Sequence, residues 1–66
     1  MMVAVTEELI RSLNSDRPVE RWQAAMRLAD AARSQQAEAL AALGNALEDG
    51  HPFVRWQAGL ALMRSI

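Results

Sequence analysis

Apolar positions in this chain follow helical spacing over four successive stretches. Leu9, Ile10 and Leu13 share one face of a helix expected from an N-cap at Thr6 to about Asn14. Glu7 and Glu8 fall at its positive end, and Val5 is placed to staple onto Ile10. The Asn14-Ser15-Asp16-Arg17 cluster stops this helix, and Pro18 opens a second that reaches about Arg33. Ser34 is expected to cap a third, whose face of Leu40, Leu43 and Leu47 ends before Gly50, a residue suited to a left-handed helix terminus. Pro52 starts a fourth helix running to the end of the chain. Valine, isoleucine and threonine are too few and too scattered for strands.

The second half restates the first. Pro18-Val19-Glu20-Arg21-Trp22-Gln23-Ala24 returns as Pro52-Phe53-Val54-Arg55-Trp56-Gln57-Ala58, an offset of 34 positions that also pairs Leu9 with Leu43, Leu13 with Leu47, Met26 with Leu60 and Leu28 with Leu62. A fixed period of this size marks a helical repeat protein, each unit a helix pair that cannot bury its apolar face alone. Short turns make successive helices antiparallel. The expected fold is all-α, a short solenoid of two stacked helical hairpins. It forms one domain over 1–66, with repeat one about 1–33 and repeat two about 34–66. A plain four-helix bundle has no reason to place Pro, Arg, Trp, Gln and Ala at matching offsets in its second and fourth helices.

A chain of 66 residues hides only about 60% of the surface its unfolded form exposes, so the core is small. No cysteine is present to staple it or to ligate a metal. Assembly with another chain is the remaining ordinary remedy. The formal net charge is −1, with acids and bases alternating, which is not the basic excess that nucleic-acid binders use. The N-terminal residues do not fit a secretory signal and no run approaches a membrane span, so a cytoplasmic protein is expected.

The stretch Leu47 to Leu62 resembles a HEAT-like repeat of the type found in phycobilisome lyases, with a pattern close to L-x-D-x-x-P-x-V-R-x-x-A-A-x-A-L. Leu47, Asp49, Pro52, Val54, Arg55, Ala58, Ala61 and Leu62 match, and Gly59 stands in for an alanine. In the first copy Leu13, Pro18, Arg21, Ala24, Ala25 and Leu28 fit, while Ser15 replaces the aspartate, Glu20 the valine and Arg27 an alanine. The resemblance implies a ladder between neighbouring units from a loop aspartate to a helix arginine. Here that is Asp49 with Arg21 or Arg55, with Asp16 as a substitute for the missing acid. It is specific for fold and not for role, since such proteins include chromophore lyases and scaffolds.

With Val54 set at zero, Ala58, Ala61 and Leu62 lie within roughly 80° of it on the fourth helix, which defines the side packing on the third. Phe53, Trp56, Leu60 and Met63 cluster opposite, between about 180° and 260°. The second helix repeats this arrangement, with Ala24, Leu28 and Ala31 on the packing side and Val19, Trp22, Met26 and Ala29 across from it. Two parallel helices thus share one apolar panel where the resembling family commonly carries polar groups. A panel of that kind marks an interaction surface, and Trp and Met suit interface centres. The expected partner-binding residues are Trp22, Trp56, Met26, Leu60, Phe53 and Met63, with Gln23, Gln57, Arg21 and Arg55 as a polar margin. The competing reading is ordinary core covered by a rotated first helix or by the tail of the chain. The ends of the stack form a second open surface, because solenoids use polar terminal caps and Leu43 and Ile66 meet no following hairpin.

Catalytic chemistry is not expected. His51 is the single histidine and suits a turn or cap before Pro52 better than a metal site, which needs several convergent donors. A pairing of Ser15 with His51 across equivalent loops would lack an orienting third group. No phosphate-binding glycine loop appears, and no cofactor is expected. The leading reading is a non-enzymatic protein-interaction module or scaffold that associates with itself as a homodimer or binds a partner helix. An accessory protein related to chromophore lyases that shelters a flat ligand is the alternative. A small DNA-binding regulator is the weakest of the three, with only Arg55 and Arg64 on its reading helix. No membrane is expected among its partners.

Overall fold

The computed structural model describes residues 3–34 and 36–65, with side chains from Thr6 onward. Four helices follow one another: α1 Val3–Ser12, α2 Pro18–Arg33, α3 Ala37–Ala46 and α4 Pro52–Arg64. They make two hairpins, α1 with α2 and α3 with α4, and the most extensive packing is between α2 and α4. The Cα atoms occupy a slab of 29 × 25 × 14 Å. The two proline-led helices begin where the locked φ of Pro18 and Pro52 predicts.

The other helix starts differ from expectation. Because α1 already runs from Val3, Thr6 is an interior residue and not an N-cap. Its hydroxyl instead donates to Oε1 of Gln36 at 3.3 Å, linking α1 to the start of α3. Ser34 closes α2 and does not open α3: its N–H bonds back to the carbonyls of Asp30 and Ala31, and its hydroxyl to Asp30 at 3.4 Å. A serine hydroxyl that bonds back four residues is unavailable to cap the next helix, and Gln36 takes that position without a side-chain bond. Gly50 lies in the loop beyond α3, and its φ is not in the left-handed region. The expected contact of Val5 with Ile10, and the role of Ile66, fall outside the described side chains.

The core is a single cluster in which alanine predominates: Ala24, Ala25, Ala29, Ala32, Ala39, Ala46, Ala58 and Ala61 join Leu13, Leu28, Leu43 and Val54. Val54, Ala58 and Ala61 face inward as the angular arithmetic requires, while Ala31 and Leu62 are half-buried at its edge. Two expectations are corrected here. Leu43 is fully buried and does not await a following hairpin, because α3 turns it into the common cluster. Leu47, just past the end of α3, is the exposed one. Ala29 belongs to the core and not to the opposite panel, because α2 and α4 pack directly on one another.

Candidate protein-interaction surface

Each stripe of the panel is a single helical row. On α4 it runs Phe53, Trp56, Leu60, Met63, and on α2 the residues 34 positions earlier are Val19, Trp22, Met26 and Ala29. Val19, Met26, Phe53, Trp56 and Met63 are 45–69% exposed, whereas Trp22 and Leu60 are half-buried. The aromatic rings connect the two helices. Trp22 and Phe53 have centroids 6.4 Å apart and Phe53 and Trp56 6.2 Å apart, both tilted. These spacings lie within the range of favourable aromatic pairs. His51 extends the row at 6.1 Å from Phe53.

His51 also caps α4, its Nδ1 accepting from the Phe53 N–H at 3.1 Å. Beside it a groove of about 410 Å³ opens between the hairpins, lined by Pro18, Val19, Trp22, His51 and Phe53. Under the surface, the Trp22 Nε1–H is buried and has no hydrogen-bond partner, a cost of about 1–3 kcal/mol that a polar contact would relieve. Neither the groove nor the orphaned indole donor is encoded in the helical spacing of the sequence. The adjacency of Pro18 and His51 depends on stacking two loops 33 residues apart, which no local pattern in the sequence encodes.

A polar network sets the position of this row. Arg21 donates from Nε to Asp49 Oδ2 at 2.8 Å and from Nη2 to Oδ1 at 3.1 Å, and from Nη1 to the Ser15 carbonyl at 2.8 Å. The His51 N–H donates to Asp49 Oδ1 at 2.9 Å, and Arg55 Nη1 to the Asp49 carbonyl at 2.7 Å. Burial pushes the Asp49 carboxyl up. The Arg21 hydrogen bond, the His51 N–H and the charges of Arg21 and His51 outweigh it and hold the group below its ordinary value. The loop preceding Phe53 is therefore fixed at several points. The carboxylate partner is Arg21, and Arg55 binds the same residue only through its backbone. Asp16, the expected substitute acid, is exposed and forms no ion pair among the described residues.

Of the expected margin, Gln23 and Arg55 are exposed, Gln57 is half-buried, and Arg21 is committed to the network. Ser15 and His51 do not pair, since the Ser15 hydroxyl donates to Glu20 Oε1 and His51 Nδ1 is taken by Phe53. Among the described residues no group of three or more His, Cys, Asp or Glu could hold a metal ion, and no helix is long and apolar enough to cross a membrane.

No curated protein and no solved structure matches the chain. The profile of HEAT repeats matches residues 6–65. HEAT repeats are generally non-enzymatic scaffolds that mediate protein–protein interaction. With nearly its whole length covered and its two hairpins in register at 34 residues, the chain belongs to the HEAT-repeat family.

Proposed function

We propose that the chain is a protein-interaction module whose working surface is the apolar panel across α2 and α4, and that it joins a second copy of itself through that panel as a homodimer. The observation carrying this reading is the exposure of Val19, Met26, Phe53, Trp56 and Met63 in two adjacent rows. With Phe53 and Trp56 drawn from side chains of roughly 150–250 Å² and Val19, Met26 and Met63 beside them, the panel leaves on the order of 500 Å² of largely apolar surface in water. That lies in the upper part of the roughly 300–600 Å² range of the largest patch on a typical monomer, on a chain whose accessible surface is 4583 Å². The roughly 800 Å² per partner of a standard interface is larger than this, so Gln23, Gln57 and other residues at the rim would supply the rest. The panel contains no charge and the chain is nearly neutral, so a second copy meets no repulsion. A twofold pairing of identical patches closes without further assembly.

Sedimentation of the wild type and of Trp56→Asp tests the proposal. The expected result is a dimer for the wild type and a folded monomer for the variant. A wild type that sediments as a monomer, or a folded variant that remains dimeric, overturns it. The groove beside Trp22 favours one competing occupant, a flat ligand of the kind a chromophore-handling relative shelters. Indole fluorescence quenched by a tetrapyrrole at low concentration, with no dimer present, would establish that reading in its place.

A further inference from the structure

The groove beside Trp22 has a chemistry that the rest of the panel lacks. It is lined by Pro18, Val19, Trp22, His51 and Phe53, none of which carries a carboxylate, amide or hydroxyl on its side chain. Two of them carry ring nitrogens. The Nδ1 of His51 accepts from the Phe53 N–H at 3.1 Å, so the neutral ring holds its hydrogen on Nε2. That donor has no partner among the described residues. The Nε1–H of Trp22, beneath the surface, has none either. The side chains around the groove thus offer hydrogen-bond donors and no free acceptor.

The apolar part of the wall is mostly aromatic. Trp22 and Phe53 stand 6.4 Å apart and His51 and Phe53 6.1 Å apart, so three rings from two hairpins surround one opening of about 410 Å³. An occupant suited to it brings apolar groups to the rings and a carbonyl to the donors, and brings no N–H of its own. An ordinary peptide fails the last condition, since each buried N–H without an acceptor costs about 1–3 kcal/mol. A prolyl residue meets all three. Its amide has an acceptor and no donor, and its ring packs on aromatic faces. The polyproline helix it favours is already extended, so little further order is imposed on binding. Two residues of that helix span the distance between neighbouring rings of the wall.

We infer that this groove binds a proline-rich segment of a partner protein in the polyproline conformation, with prolyl rings against Trp22 and Phe53 and a prolyl carbonyl accepting from His51 Nε2. The inference goes beyond the homodimer and does not require it. Val19 and Phe53 belong to both surfaces, so the segment and a second copy of the chain compete for the loop end of the panel.

The probe is an acetylated and amidated hexaproline, titrated into the Trp56→Asp variant. That substitution removes the panel contact of the homodimer and leaves Trp22 as the one indole of the sequence, so its emission reports on the groove. The expected result is a saturable one-to-one change with a Kd of about 1 mM or below. Phe53→Ala is expected to weaken it at least about fivefold. His51→Ser, which keeps a capping oxygen but lacks the ring N–H, is expected to weaken it about threefold or more. A hexamer of alternating glycine and serine, capped in the same way, is expected not to bind. Circular dichroism checks that each variant stays helical, and the wild type replaces Trp56→Asp if that variant does not fold. No saturable change up to about 5 mM hexaproline, equal binding of the glycine–serine hexamer, or an affinity indifferent to Phe53→Ala or His51→Ser overturns the inference. A wild type that sediments as a monomer overturns the homodimer alone, because the peptide titration does not depend on it.

Discussion

Arg21 and Asp49, 28 residues apart in the chain, join the two hairpins by a two-point contact, Nε to Oδ2 at 2.8 Å and Nη2 to Oδ1 at 3.1 Å. Both side chains are largely buried, so the pair is not an exposed ion pair of little consequence. It is also where the second repeat's loop gains its shape, because the same carboxylate holds the His51 N–H.

Replacing Arg21 by alanine leaves that carboxylate short of its main donor in a largely buried site, and the expected loss is about 2–3 kcal/mol. Arg55→Ala removes only one bond to a backbone carbonyl at an exposed position and is expected to cost about 1 kcal/mol or less. Urea unfolding of the two variants checks the ranking. Equal losses would mean that the contact between repeats adds nothing beyond the local bond the two arginines share.

Acid weakens the protein through the same residue. The folded-state pKa of Asp49 lies below its unfolded value, so its contribution is fully present above about pH 4. It is lost as the pH falls through the lowered folded value. The stability difference between the wild type and Asp49→Asn is therefore expected to shrink steadily below pH 4. Chemical unfolding at a series of pH values measures it.

Gly59 sits inside α4 where the repeat pattern calls for alanine. A Cβ built there meets only Leu47 Cδ2, at 3.8 Å, an ordinary contact. Gly59→Ala is expected to stabilise the chain by about 1 kcal/mol through helix propensity alone, seen as a rise in the thermal midpoint. A fall would show that α3 and α4 must approach more closely than this spacing.

The two proline-led helices could be read directly, since a locked φ and a missing amide hydrogen admit few placements. So could the inward side of α4, because Val54, Ala58 and Ala61 share one helical face. The starts of α1 and α3 could not: Thr6 and Ser34 carry capping side chains, but a hydroxyl also bonds to a neighbouring element or back along its own helix, and here both did. The exchange of roles between Leu43 and Leu47 arose from the end of α3 at Ala46, which places Leu47 in a turn and off the helical face. At the candidate surface the two rows of apolar residues were visible from spacing. The groove between Pro18 and His51, and the buried indole N–H of Trp22 that has no partner, exist only once two distant loops are stacked.

The core between the hairpins consists mostly of methyl groups, and among the described residues Leu28, Leu43 and Val54 are the large side chains wholly enclosed. Small side chains of this kind let the helices that carry them approach closely, so the seam is shaped by backbone as much as by side chains. Arg21 and Asp49 tie the hairpins at the loop end of the seam, and the bond from Thr6 to Gln36 links them at another point. The relative placement of the rows of Trp22 and Trp56 therefore depends on this seam of small side chains, in which α2 and α4 pack on one another, and on the contact at its loop end.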